Sequence, residues 1–117
     1  PYAFNTQEAI AMTGAGADII VAHCGCTVGG TIGADSVMAL DAAAKLVQDI
    51  HDAAVSTNPD VIVLCHGGPI SSPEDAEYIL RNTSGVHGFY GASSAERLPT
   101  EVAITEHTRK FKSISFK

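Results

Sequence analysis

Two segments constrain this chain more than any others: Asp18-Ile19-Ile20-Val21-Ala22-His23 and Asp60-Val61-Ile62-Val63-Leu64-Cys65-His66. Each is an aspartate followed by an apolar, largely β-branched run that ends at a histidine. Unbroken apolar character, without polar alternation, is the pattern of strands in parallel sheets. Parallel neighbours need a crossover, and the residues between these two runs supply one. Leu40, Ala43, Val47, Ile50 and Ala54 follow the three-and-four spacing of one buried helical face. The spacing predicts a helix from about Asp35 to Ser56, stopped by Asn58-Pro59. The chain therefore repeats a βα unit.

The remaining segments fit the same alternation. Asn5 caps a predicted first helix, with Glu8 three residues on, close to a capping box, and Gly14-Ala15-Gly16 ends it. Ser72-Pro73-Glu74-Asp75 combines a cap residue, a proline at the first helical position and two acids near the positive end of the helix dipole, so a helix runs from there to about Asn82. A shorter strand is expected over Val86 to Tyr90, then a short turn of helix near Ser93-Ser94, then Leu98-Pro99-Thr100 and a final helix to about Phe111. Strands alternating with helices imply right-handed crossovers and an α/β class. Three strands and the end of a fourth amount to half of a (β/α)8 barrel, since a complete one takes about 250 residues. A small open doubly wound sheet is the alternative. The whole chain, residues 1–117, reads as one partial domain, and its opening at Pro1 inside a strand end suggests a piece of a longer barrel.

Composition narrows the partners. The net charge is -6, and the basic residues are scattered apart from Arg109, Lys110 and Lys112, so no phosphate-backbone footprint exists and nucleic acid is not expected. No apolar stretch of about 18 residues offers a membrane span, and the N-terminus has no signal-peptide pattern. Three cysteines, Cys24, Cys26 and Cys65, suit a reducing compartment better than a disulfide framework, and a cytoplasmic location is expected.

Chemistry in parallel α/β folds gathers at the carboxyl ends of strands, where this chain places His23-Cys24-Gly25-Cys26, His66-Gly67-Gly68-Pro69 and Tyr90-Gly91-Ala92-Ser93-Ser94. One histidine alone is ordinarily a hydrogen-bonded structural residue. Two at equivalent ends of repeated units make His23 and His66 candidates for acid-base or ligand-orienting roles. Cys24, glycine-flanked and near an imidazole, is a candidate nucleophile. Gly29, Gly30, Gly67, Gly68 and Gly91 let backbone amides approach a bound anion, with Ser93 and Ser94 at a helix start and Arg97 able to clamp a carboxylate or phosphate. The competing reading is that these glycines only turn the chain tightly. No GK[ST] follows any of them, which excludes a P-loop. Cys-x-Cys is not a zinc-knuckle spacing, and no strand end carries Asp or Glu, so no metal site is predicted within the chain; a divalent metal would need ligands from outside it. The cofactor is left unknown.

Two long segments, Cys65 to Ala76 (CHGGPISSPEDA) and Gly85 to Pro99 (GVHGFYGASSAERLP), resemble the C-terminal half of the phosphoenolpyruvate hydrolase-like TIM-barrel family. Val21-Ala22-His23, Thr27-Val28-Gly29-Gly30 and Ile32-Gly33 extend the likeness over nearly the whole chain. The resemblance implies a barrel that often follows an ATP-binding domain, and a plant relative that inhibits tobamovirus RNA replication by binding the viral replication protein. The family's N-terminal half-barrel is absent here, and Cys24 and Cys26 stand where relatives are expected to carry ordinary apolar residues.

Two functions follow as expectations. The first is a hydrolase-like barrel domain binding or converting a small phosphorylated or carboxylate metabolite of the phosphoenolpyruvate or phosphonopyruvate type. The second is a non-catalytic ligand-binding or protein-interaction domain. Beyond a small-molecule anion, the expected partner is the missing N-terminal half of the barrel or a second copy, because half a barrel leaves strand edges and inward-facing residues uncovered.

Overall fold

The computed structural model describes residues 1–27 and 38–114. The two apolar runs form the central strands, β2 (Ile19–His23) and β3 (Ile62–His66). They pair in parallel with Ile19 opposite Ile62 and His23 opposite His66. A two-residue strand flanks each side: β1 (Tyr2–Ala3) beside β2, and β4 (Gly88–Phe89) beside β3. The order is β1-β2-β3-β4, all parallel. It never reverses, which is the singly wound path of a barrel and not the reversing path of a doubly wound sheet. The domain is α/β and partially TIM-barrel-like.

Helices α1 (Thr6–Gly14), α2 (Leu40–Thr57) and α3 (Pro73–Arg81) join these strands, and α4 (Ser93–Lys112) follows β4. Local chemistry sets most of their ends. Asn5 accepts the Glu8 amide at 2.9 Å, but the Glu8 carboxylate bonds the Phe4 amide, one residue earlier than a strict capping box. Ser72 and Asp75 form a full capping box at α3, with Pro73 at its start and Asn82 at its C-cap. The side chain of Asp75 also accepts from the Ser71 amide and hydroxyl.

Three boundaries differ from expectation. The predicted start of α2 at Asp35 lies outside the described residues, and the helix begins at Leu40 because Met38 and Ala39 are not helical and Ala39 is extended with no capping side chain. The strand expected over Val86 to Tyr90 is reduced to two residues, although the His87 amide bonds Val63 and the Tyr90 amide bonds Cys65, so the ladder reaches beyond the strand proper. The turn and final helix expected on either side of Pro99 are one helix, Ser93–Lys112. Proline removes one amide donor from a helix's hydrogen-bond ladder; here the backbone carries through.

Strand alternation divides the side chains into two layers. Ile20, Ala22, Val61, Val63 and Cys65 face the helices and are buried with Val47, Ile50 and Ala54 of α2 and Ile79 of α3. Each fully buried Ile or Val contributes roughly 1.5–3 kcal/mol relative to exposure. The other face carries Tyr2, Ile19, Val21, Ile62 and Leu64, of which Tyr2, Ile19 and Ile62 are exposed. In a closed barrel this face is the interior. Here Pro1, Tyr2, Ile19, Val21, Leu64 and Tyr90 line an open concavity of about 400 Å³ on it.

Candidate functional site

His23 and His66 end adjacent, in-register strands, so both imidazoles project from the same face of the sheet at its carboxyl end. Their ring centroids lie 4.9 Å apart, edge to face. Tyr2, from β1, stacks on His66 at 5.3 Å and meets His23 edge-on at 4.7 Å. Phe4 lies 4.6 Å from His23, and Tyr90 lies 5.3 Å from His66. The result is a ring cluster drawn from β1, the ends of β2 and β3, and the segments that follow β1 and β4, continuous through Tyr2 and Tyr90 with the concavity below.

Backbone groups orient both imidazoles. His66 Nδ1 lies 2.6 Å from the Tyr90 carbonyl, and His23 Nδ1 accepts the Gly25 amide at 3.0 Å. His66 is buried and His23 half-buried. Burial pushes the pKa of His23 below its ordinary value, and the neighbouring His66 adds to the effect.

The glycines after β3 bring two loops into contact. Gly67 and Gly68 have φ of 75° and 58°, and a Cβ on either would land on the backbone carbonyl of Gly25 or Cys24. The Gly68 amide donates to the Gly25 carbonyl at 2.8 Å, so that amide is committed within the protein. The Cys24 amide bonds the His66 carbonyl at 2.9 Å and carries the β2–β3 ladder one step past the strands. The two loops are therefore held together by close backbone packing.

Cys24 falls on the other side. Alternation sends it, like Cys65, away from the imidazoles and into the helix-covered core. Burial, with Cys65 nearby, pushes its thiol up to about 12, and burial likewise raises Cys65 to about 11. A thiol held in its protonated form is a poor nucleophile, and among the described residues no hydrogen bond joins Cys24 to an imidazole.

Of the remaining candidates, Gly29 and Gly30 lie outside the described residues, as do the side chains of Ser93 and Arg97. Gly91 and Ser94 stand at the start of α4, whose N-cap position, Ala92, makes no side-chain capping bond. Among the described residues no group of three or more His, Cys, Asp or Glu side chains is placed to hold a metal ion, and no helix is long and apolar enough to cross a membrane. Sequence reasoning missed Tyr2 and Phe4. Their strand is too short to show a period, and the signal available was position alone, Tyr2-Ala3-Phe4 preceding the Asn5 cap just as His23 and His66 precede their own loops.

The sequence has clear relatives. A model of the family described as phosphoenolpyruvate hydrolase-like matches residues 1–114. Two tomato (Solanum lycopersicum) proteins, the ToMV susceptible protein tm-1(GCR26) and the ToMV resistance protein Tm-1(GCR237), are 62% and 61% identical to the chain over 115 residues. The alignments cover 98% of this chain, which spans 15% of the length of either relative.

Proposed function

This chain belongs to the phosphoenolpyruvate hydrolase-like family, and from that premise we propose that it supplies part of a barrel site for a small phosphorylated or carboxylate metabolite. The observation that carries the reading is the meeting of His23 and His66 at 4.9 Å on one face, at the strand ends where barrel enzymes keep their chemistry. The two imidazoles touch the ligand as acid-base or orienting groups. Its anionic end lies toward Gly91, Ser94 and the N-terminus of α4, where backbone amides and the helix dipole favour negative charge, with Arg97 as a further clamp. Gly67 and Gly68 shape the wall between the β2 and β3 loops. Cys24 has no part in this reading, and the thiol serves as core packing.

The test is turnover of phosphoenolpyruvate and phosphonopyruvate by the whole protein that contains this chain. The reading expects hydrolysis that falls by a factor of roughly 100 or more in His66→Ala, the usual scale for losing a general acid or base. Absence of turnover with both compounds counts against catalysis.

A second reading, a non-catalytic protein-interaction domain, is favoured by the exposed apolar face bearing Tyr2, Ile19 and Ile62. The two tomato relatives are named for susceptibility and resistance to ToMV, which is in keeping with a role in recognition. If it holds, neither compound is bound, and Ile19→Asp and Ile62→Asp abolish partner binding while His66→Ala does not.

A further inference from the structure

The hydrogen bonds that orient the imidazoles also fix where each carries its proton. A carbonyl oxygen only accepts, so the 2.6 Å contact between His66 Nδ1 and the Tyr90 carbonyl requires the proton on Nδ1 and leaves a lone pair on Nε2. A backbone amide only donates, so the Gly25 amide 3.0 Å from His23 Nδ1 requires that nitrogen to be bare and puts the proton on Nε2. The neighbouring rings are thus opposite tautomers.

Their responses to a second proton differ as well. On His66 the proton enters at Nε2 and the bond to Tyr90 survives. On His23 it must enter at Nδ1, where it faces the Gly25 amide, donor against donor. Among the described residues no hydrogen bond to either Nε2 is found, and neither atom is among the buried side-chain atoms left without a partner, where Thr13 Oγ1 stands. The titratable groups around the pair are Tyr2 on β1, Tyr90 after β4, and the Cys24 and Cys65 thiols on the helix side. Among the described residues no ion pair reaches either ring.

We propose that the two histidines are fixed as unlike partners, His66 taking a proton at Nε2 and His23 remaining neutral and donating a hydrogen bond from Nε2. The site then selects ligands that present an ionisable proton to one ring and, within a few ångströms, an oxygen that gains negative charge to the other. The step balances without a further reactant. The O–H or C–H bond of the ligand breaks, the His66 Nε2 lone pair forms the new N–H bond, and the electron pair left behind settles on a ligand oxygen that accepts from His23 Nε2–H. The reverse transfer restores both rings. A neutral imidazole polarising a carbonyl in this manner is an established catalytic device. The lowered pKa of His23 agrees with the geometric argument.

The proposal rests on the ligand site described above, but its test needs no ligand. In nitrogen-15 histidine spectra of the full chain, with the two rings assigned through their contacts to Tyr2, Phe4 and Tyr90, His66 carries its proton on Nδ1 and His23 on Nε2 at neutral pH. On acidification His23 Nδ1 stays bare to lower pH than an ordinary imidazole does. Finding the same tautomer on both rings, or a protonated His23 Nδ1 at neutral pH, overturns it. Opposite tautomers combined with no turnover of phosphoenolpyruvate would uphold the pair and reject only the substrate.

Discussion

At the residue scale, His23 links the backbone to protonation. Its folded-state pKa lies below the ordinary 6.5, first through burial and then through His66. Between that lower value and about 6.5 the unfolded chain binds a proton that the folded chain declines, so stability falls as the pH drops through this window and is fully present above it. Melting temperatures measured from pH 7.5 to 5 should fall more steeply for the native sequence than for His23→Gln; parallel profiles would contradict the assignment. Gly68 is the second decisive residue. Its positive φ and the closeness of the Cys24 carbonyl leave no place for a side chain. Gly68→Ala is therefore expected to cost roughly 1–3 kcal/mol from backbone conformation alone, and more from the overlap, read as a shift in the urea midpoint. The histidines were legible in the sequence because each closes an apolar run. The side on which Cys24 falls was not, since a residue one step past a strand shows its face only once the register is known.

At the element scale, the clearest signals were chemical ones. Ser72, Pro73 and Asp75 mark the start of α3, and the capping box forms as the pattern requires. Ser72→Ala is expected to lower stability by about 1 kcal/mol, and Ser72→Asn to restore most of it, as measured by denaturant unfolding. Where such signals are missing, the sequence is a poorer guide. No side chain caps the N-terminus of α2, which begins at Leu40, five positions after Asp35. Pro99 suggested a break, but a proline takes away a single donor and α4 continues through it. Helix α4 also bears exposed Val102, Ile104 and Phe111, and its apolar residues follow no sharp face, which is why periodicity gave no partner for it. The short strands β1 and β4 were legible only as a strand end at Pro1 and a longer strand over Val86 to Tyr90, because two residues are too few to show a period, and their pairing completes the sheet.

At the scale of the whole molecule, the repeated unit was sufficient to read parallel strands, because right-handed crossovers leave few other paths, while the choice between a barrel path and a doubly wound sheet waited on the strand order β1-β2-β3-β4. What the sequence could not show is which side chains from distant loops meet, and here Tyr2, Phe4 and Tyr90 join the two histidines into one cluster. Among the described residues no layer covers Ile19 and Ile62 on the other face of the sheet, and both are exposed. We propose that the remainder of a barrel or a second copy covers that face. Sedimentation of the isolated chain at micromolar concentration should then show association, with melting that depends on concentration; a compact monomer with concentration-independent melting would contradict this. The central claim is that His23 and His66 share one ligand. It is tested most directly by calorimetric titration of phosphoenolpyruvate into the whole protein and into its His23→Ala and His66→Ala variants, each confirmed to be folded. The account predicts saturable binding weakened about tenfold or more by either substitution, a loss of about 1.4 kcal/mol. Equal affinity in all three proteins, or no binding to any of them, would contradict it.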